Sequence, residues 1–191
     1  MNFKLLIKHI FGNIRCYKAR IRLQGKGIYI GSRVNFKGGC NITLCSDVII
    51  RPEADIWANG NIYIGSGSEI GQRDRISIKN SLNIGKNVLL SPNVYITDCD
   101  HKYEMVGIPV MKQGIIDKNY SIYIEDGVFI GINSVIIGNI HIGKGTVIGA
   151  NSVVTKDIPS YCVAAGNPVK IIKQYDNLTK RWIKFQGEYD K

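Results

Sequence analysis

The sequence predicts an all-β fold of the parallel β-helix type, in which short strands stack into a three-sided coil. The main observation is a six-residue period of large apolar side chains, and the longest unbroken run is Ile124, Ile130, Ile136, Ile142, Ile148 and Val154. Eight Ile-Gly dipeptides accompany these runs. A fixed short period of this kind is typical of a β-helix, because each repeat supplies one strand and one corner.

Length and composition are those of one soluble globular domain. The chain has 191 residues, of which 45% are hydrophobic and 21% charged, so it is long enough to bury a core and too apolar to be disordered. Its apolar stretches are shorter than a membrane span, and no secretory signal peptide is expected. The five cysteines are scattered without metal-ligand spacing. We therefore expect a reduced, cytoplasmic compartment and no metal site.

Positive charge is concentrated in the first quarter of the chain. The first 46 residues contain nine Lys or Arg and no acidic residue, within a net charge of +10. This segment either attracts an anionic membrane surface or substrate, or is a solvated flank that keeps the protein soluble. Nucleic acid is disfavoured, because the basic segment lacks interleaved aromatic residues and any known binding motif.

Residues 1–27 are predicted to form a basic N-terminal segment with a helix over residues 3–18. Apolar side chains recur there at helical spacing, with lysine and arginine elsewhere on the helix. Such a helix lies either on a membrane at the inner face or over the end of the core.

Residues 28–159 carry the six-residue repeat. Three repeats close a coil of 18 residues, which gives about six coils stacked at roughly 4.8 Å. Small residues four positions after the aliphatic one, such as Ser68 and Ser134, are expected to point inward. The glycine or asparagine that follows the aliphatic residue is expected to adopt positive φ. The register slips by two residues at 62–64, 82–84 and 122–124, which predicts slightly longer corners.

Two segments depart from the repeat. Residues 102–121 contain Gly107, Pro109 and Gly114 and no period, so we expect a loop that protrudes from one corner, and loops on rigid scaffolds often carry function. Residues 160–191 form a C-terminal tail, in which spaced apolar residues predict a short helix that shields the open edge of the sheet.

Three segments together resemble the hexapeptide-repeat acyltransferases, in particular the O-acetyltransferases that modify sugars. They are the repeat itself, IGKNVLLSPNVYITDCDH at 84–101, and IGKGTVIGANSVVTKDIPSYCVAAGNPVKIIK at 142–173. The resemblance covers about two thirds of the chain. It implies a left-handed coil, acetyl-CoA as the acyl donor, and a homotrimer whose active sites lie between neighbouring subunits.

The resemblance also implies a catalytic histidine, which corresponds to His101. Transfer of an acetyl group from a thioester to a hydroxyl requires a base, and neutral imidazole suits that task. A carboxylate usually orients such an imidazole, and Asp98 matches an acidic position of the family. Alternatively, Asp98 only stabilises the turn in which it lies. Cys99 as a nucleophile is disfavoured.

The donor site implied by the resemblance is built by later coils. Its members are expected to be Phe129, Gly131, Ala150, Thr155, Lys156, Lys170 and Lys173. Gly131 would offer a free backbone N–H to the thioester oxygen, and the lysines would contact phosphate, unless they are ordinary surface residues. Ile132 replaces a serine found in sugar acetyltransferases, so a backbone N–H must bind the acyl oxygen.

The acceptor site is expected at the loop and the nearby corners, with Tyr103, Asn93 and Arg73 as its binding residues. The first hypothesis is O-acetylation of a saccharide in O-antigen or capsule synthesis. The alternatives are N-acetylation of a nucleotide-linked amino sugar and a non-catalytic β-helix scaffold. A zinc enzyme on the same coil is disfavoured, because His9, His101 and His141 are not expected to converge.

Overall fold

The computed structural model describes residues 11–12 and 14–186 of the chain. They form a β-solenoid of about seven turns with little helix. Each complete turn contributes one strand to each of three sheets, so the predicted parallel β-helix is confirmed. The hand of the coil stays a prediction.

The three sheets are named A, B and C in the order in which the chain visits them. Sheet A contains β1 (Arg22–Gln24), β4 (Ile42–Cys45), β7 (Asn61–Ile64), β10 (Ser81–Ile84), β13 (Ser121–Ile124) and β16 (Ile140–Ile142). Sheet B contains β2 (Tyr29–Ile30), β5 (Ile49–Ile50), β8 (Glu69–Ile70), β11 (Leu89–Leu90), β14 (Phe129–Ile130), β17 (Val147–Ile148), β19 (Cys162–Ala165), β20 (Lys170–Asp176) and β21 (Arg181–Lys184). Sheet C contains β3 (Asn35–Lys37), β6 (Asp55–Ala58), β9 (Arg75–Ile78), β12 (Tyr95–Thr97), β15 (Val135–Ile137) and β18 (Val153–Val154).

Helix is confined to short pieces. A 3-10 helix covers Gly39–Asn41, an α-helix covers Val110–Gln113, and residues 11–12 and 14–18 are helical at the N-terminus. The predicted N-terminal helix is thus present over its second half, and residues 1–10 lie outside the described residues. No helix in the described part of the chain is long and apolar enough to cross a membrane.

The core is a set of aliphatic columns that run along the solenoid axis. In sheet A, Ile62 pairs with Leu82, and Leu82 pairs with Ile122. All three side chains are almost fully buried. Ser68 and Ser134 are also fully buried, as predicted, and each donates its hydroxyl hydrogen to a carbonyl of the next turn. Alternation of inward and outward side chains along each strand produces these columns.

Turn length changes along the solenoid. Ile62 and Leu82 are 20 positions apart, whereas the paired Ile122 and Ile140 are 18 positions apart. The turns nearer the N-terminus, which we call the upper turns, are therefore two residues longer than those nearer the C-terminus. This difference agrees with the register slips seen in the sequence. Between β10 and β13 the interval is 40 residues. The strands above and below residues 98–120 therefore pair directly, and these residues leave the stack at the corner between sheets C and A, here called the C–A corner.

The glycine that follows the aliphatic residue has positive φ, as expected, at Gly138 after Ile137, but at most other corners it serves a different purpose. Gly65 and Gly131 do not adopt positive φ; that conformation falls two positions later, at Gly67 and Asn133. A Cβ added to Gly131 would lie 2.5 Å from the backbone nitrogen of Ala150. Glycine is needed there because successive corners stack too closely for a side chain.

The predicted C-terminal helix is wrong. Residues from Lys170 onward form the antiparallel strands β20 and β21, and β20 pairs with β19 at the lower edge of sheet B. The tail forms strands because the edge of β19 offers unpaired backbone groups. The segment that pairs with this edge contains Ile171, Ile172 and Tyr175, which have high β-propensity. The tail covers the edge, as expected, but it does so by extending the sheet.

Candidate active site

His101 lies at the base of the arm, which we define as residues 98–120. Its backbone forms an antiparallel bridge with Ile115. The flanking bonds run from Lys102 N–H to Gly114 O at 3.0 Å and from Ile116 N–H to Asp100 O at 2.8 Å. The two legs of the arm are thereby joined at its base. The His101 side chain is exposed, and its ring makes no hydrogen bond within residues 14–186, so both ring nitrogens are accessible to a substrate.

Asp98 has a different role from the one expected. It is 1% exposed, and its carboxylate accepts hydrogen bonds from the backbone N–H groups of Lys79 (2.7 Å), Asn80 (2.7 Å) and Ser81 (3.1 Å). Three backbone donors satisfy a buried carboxylate well. Asp98 therefore organises the C–A corner of the turn above and does not contact the imidazole of His101.

The corner that Asp98 organises also holds the arm. Lys79 Nζ donates to Ile116 O at 3.1 Å and lies 2.8 Å from Asp117 Oδ1. Asn80 Nδ2 donates to Lys118 O at 3.1 Å. Nothing in the spacing of Lys79 and Asn80 indicated this function, because they lie almost 40 positions before their partners.

A buried glutamine shapes the rest of the arm. Gln113 accepts a hydrogen bond from Met105 N–H at 3.0 Å and donates to the carbonyls of Met105 (3.1 Å) and Ile108 (2.7 Å). The arm thus has its own internal order. Tyr103, predicted to bind the acceptor, lies on it near His101 and is 69% exposed.

Cys99 beside this site is unsuited to nucleophilic attack. Burial raises the pKa of its thiol above the ordinary value, and a thiol of raised pKa stays protonated at neutral pH. The environment agrees with the expectation that Cys99 is not a nucleophile.

The residues predicted to bind the donor do not all lie together. Phe129 lies on β14, and Gly131 and Ala150 follow at the corner between sheets B and C, here called the B–C corner. Lys170 and Lys173 lie below them on β20 and are exposed. Thr155 and Lys156 instead follow β18 at the C–A corner, on the same edge as His101. Sheet C separates the two edges by about 20 Å, at 3.3 Å for each of six residues.

Gly131 cannot supply the oxyanion donor that was expected of it. Its N–H donates to Ile148 O at 2.8 Å and is part of the sheet ladder. Ile132, the next residue, is 40% exposed, and its N–H makes no hydrogen bond among the described residues. The candidate backbone donor to the acyl oxygen at this corner is therefore the N–H of Ile132 and not that of Gly131.

Arg73 and Asn93, predicted to bind the acceptor, belong to a ladder of side chains at the B–C corner. Arg73 Nε donates to Asn93 Oδ1 at 3.1 Å, and Asn93 Nδ2 donates to Asn133 Oδ1 at 3.2 Å. All three residues have φ near +60°, a conformation that asparagine tolerates well. In one chain they lie across sheet C from His101 and Tyr103.

A second histidine lines a cavity on the outer face of sheet A. His141 Nε2 is 2.8 Å from Glu125 Oε1, and the ring of Tyr123 meets the imidazole edge-on at 6.5 Å. The cavity has a volume of about 390 Å³. His141 is already paired with a carboxylate and lies on β16 of sheet A, outside the arm, which makes it a control for His101. Within the described residues, no group of three potential metal ligands comes together.

Comparison with known proteins agrees with this architecture. Residues 121–156 match the family model described as bacterial transferase hexapeptide (six repeats). The chain is 29% identical over 185 residues to an Escherichia coli (strain K12) protein named as the lipopolysaccharide biosynthesis O-acetyl transferase WbbJ. The match covers 94% of this chain and 89% of that protein.

Two solved structures have the same fold. The first is AntD, an N-acyltransferase from Bacillus cereus in complex with dTDP and 3-hydroxybutyryl-CoA (TM-score 0.73, 21% identity, 87% of this chain and 90% of that one). The second is the hexapeptide-repeat-containing acetyltransferase VCA0836 from Vibrio cholerae O1 biovar eltor, complexed with acetyl coenzyme A (TM-score 0.55, 20% identity, 86% and 76%). At these identities, the likeness shows the fold alone.

Proposed function

We propose that this chain is an acetyltransferase of the hexapeptide-repeat family and that it transfers the acetyl group of acetyl-CoA to a hydroxyl of a saccharide. The observation that carries the proposal is the position of His101. It is an exposed imidazole whose ring has no hydrogen-bond partner among residues 14–186, and it lies at the base of an internally ordered arm. We infer O-antigen or capsule synthesis as the process, in keeping with the name that the E. coli relative carries.

In the proposed reaction, a neutral His101 removes the proton of the acceptor hydroxyl while its oxygen attacks the thioester carbonyl. The resulting tetrahedral oxyanion accepts a hydrogen bond from a backbone N–H, for which Ile132 is our candidate. Collapse breaks the carbon–sulfur bond, and the imidazolium returns its proton to the sulfur of CoA. The products are an acetyl ester and free CoA thiol.

We further propose that the active site is shared between two copies in a homotrimer. Five of the seven proposed donor-site residues follow sheet B and the B–C corner, across sheet C from His101 of the same chain. The outer faces of sheets B and C also carry apolar side chains around this corner, among them Leu89, Phe129, Ile132, Val135, Ile137, Val147 and Val153. Packing of such faces against a second copy removes apolar surface from water.

The test uses thiol release from acetyl-CoA with a panel of saccharides. His101→Ala is expected to lower kcat/KM by at least 100-fold, the usual contribution of a general base. His141→Ala is the matched control, because it removes an exposed imidazole outside the proposed site, and it is expected to stay within twofold of the wild type. Thiol release no faster than hydrolysis with every acceptor, or full activity of His101→Ala, would overturn the proposal.

An alternative within the same chemistry is N-acetylation of a nucleotide-linked amino sugar, which would use the same base and donor. Amino sugars in the panel, compared with their hydroxyl analogues, separate the two reactions. The non-catalytic scaffold is tested independently of any acceptor. We expect CoA to raise the melting temperature of the protein, and Ala150→Trp to abolish that rise.

Membrane contact by the basic N-terminal segment and a location in the cytoplasm or at the inner face of the membrane remain proposals. The charge distribution supports them, since nine basic and no acidic residues precede Asp47. Sedimentation with vesicles that contain anionic lipid tests the contact.

A further inference from the structure

An indole ring with two cations over it lies on the outer face of sheet C. We call it the Trp57 cluster, and it consists of Lys37 on β3, Trp57 on β6 and Arg75 on β9. Lys37 Nζ is 3.7 Å from the centroid of the Trp57 ring, and Arg75 Cζ is 5.3 Å from it. Both distances fall within the range of a cation–π interaction.

The carboxylate of Asp55 holds the Trp57 ring in place and forms no ion pair with Lys37 or Arg75. Trp57 Nε1 donates to Asp55 Oδ1 at 2.7 Å, and Asn35 Nδ2 donates to the same oxygen at 2.8 Å. In residues 14–186, neither Lys37 nor Arg75 forms an ion pair with an acidic side chain.

Other basic side chains of the same turns do have carboxylate partners. Arg33 pairs with Glu53, and Arg51 pairs with Glu69. Two cations that share one aromatic ring repel each other and leave their hydrogen-bond donors available. This arrangement favours an anion brought by a ligand.

The cluster matches the chemistry of an acidic saccharide. The apolar face of a pyranose ring packs against an indole, and Arg binds a carboxylate with two parallel hydrogen bonds. Asn35 and Asp55 add an amide and a carboxylate for sugar hydroxyls at the rim. A neutral sugar would use the ring but would leave both cations unpaired.

The cluster lies on the same sheet face that leads to His101. Trp57 is in register with Ser77, and Ser77 is in register with Thr97, four residues before His101. Two rungs of the sheet separate Trp57 from Thr97 by about 10 Å. Arg75 is likewise in register with Tyr95, so an aromatic side chain lies between the Trp57 cluster and the arm on this face of sheet C.

We propose that the Trp57 cluster is an accessory binding site for a carboxylate-bearing saccharide, which holds the acceptor chain while a neighbouring unit is acetylated at His101. This inference rests on the proposed function, because it names the class of acceptor. It makes the acceptor an acidic polysaccharide repeat, and it assigns Lys37 and Arg75 to its carboxylates.

The test measures binding without acetyl-CoA. The chain has two tryptophans, so Trp182→Phe leaves Trp57 as the only indole reporter. The probes are a hexamer of galacturonic acid, a hyaluronan hexasaccharide and a sialic acid hexamer, each with its carboxyl-reduced neutral form.

We expect a saturable change of Trp57 fluorescence with at least one acidic probe and at least tenfold weaker binding of its reduced form. Lys37→Gln and Arg75→Gln in the same background are each expected to weaken binding at least tenfold. Lys26→Gln is the matched control, since it removes an exposed lysine from the same turn outside sheet C, and it should leave binding within twofold.

Equal binding of acidic and reduced probes, no binding of any acidic probe, or equal loss in Lys26→Gln would each overturn the proposal. Acetyl transfer is measured separately on the Trp182→Phe protein. Intact binding without thiol release would contradict the proposed function alone, whereas thiol release without binding would contradict only the accessory site.

Discussion

Asp98 Oδ1 accepts a hydrogen bond from the backbone N–H of Lys79 at 2.7 Å, and the ammonium group of the same Lys79 holds the returning leg of the arm. One buried carboxylate therefore connects the solenoid to the segment that carries His101. Its influence on His101 is positional, through the corner and the arm, because its oxygens are used by three backbone donors.

Asp98→Asn tests this positional role. An amide can accept at only one of the two oxygen positions, so backbone donors lose partners, and we expect the free energy of unfolding to fall by about 1–3 kcal/mol. We expect kcat to fall as well, while the pH of half-maximal activity stays unchanged. Urea denaturation and a pH–rate profile check both points. A shift of the pH profile without loss of stability would instead indicate direct contact with the imidazole.

Complementation between two inactive variants tests the shared active site. We expect His101→Ala and Ala150→Trp to be inactive when each is expressed alone. Co-expressed and purified by two tags, they should regain about one quarter of wild-type activity, because random assembly in a ring pairs an intact His101 edge with an intact neighbouring corner in that fraction of sites.

A site built within one chain would give the opposite result. Mixed assemblies would then remain inactive at every ratio of the two variants. Size-exclusion chromatography with light scattering checks that each variant retains the assembly state of the wild type.

Gly131→Ala is expected to destabilise the fold by about 1–3 kcal/mol, as overpacking does. The new Cβ would lie 2.5 Å from Ala150 N and 2.8 Å from Gly149 C, both of them backbone atoms of the next corner. Thermal and denaturant unfolding measure the effect.

Gly127→Asn is the control for that substitution. A Cβ at Gly127 meets nothing within 4 Å, and Asn87, one turn above, has the same left-handed conformation with φ of 53°. We expect this variant to stay within about 0.5 kcal/mol of the wild type, as is usual for surface substitutions. Equal losses for both variants would contradict the close-stacking role of Gly131.

Asp74 is expected to make stability depend on pH. Its side chain is fully buried, and burial raises its pKa from 3.8 to about 7, against the opposing effect of hydrogen bonds from Val94 and Gly71. Between about pH 4 and pH 7 the folded state binds more protons at this group than the unfolded state. The free energy of unfolding should therefore fall as the pH rises through this range.

Asp74→Ser should remove that fall. Serine occupies the equivalent position of later turns, at Ser134 and Ser152, where it is fully buried. The measurement is urea denaturation of both proteins at pH 4, 5, 6 and 7. The free energy of unfolding of the serine variant, relative to that of the wild type, should increase as the pH rises from 4 to 7. A difference that stays constant over this range would contradict the raised pKa of Asp74.

Some features of the fold could be predicted because the period records which side chains face inward. The burial of Ser68 and Ser134 and the longer corners of the upper turns follow directly from that record. The strands at the C-terminus could not be predicted in this way. Their apolar residues also fit a helix, and the deciding factor is the open edge of β19, which exists only once the turns have stacked.

The sequence by itself determined the coil, the inward residues and the interruption at the arm, because each of these depends on residue type at a fixed local spacing. The tertiary structure decided which residues meet. It directed Asp98 to the backbone of Lys79, used the N–H of Gly131 within the ladder, and grouped Lys37, Trp57 and Arg75 on one face. These contacts join residues 17–20 positions apart through stacking of successive turns, so their partners are set by the register between turns and not by local order along the chain.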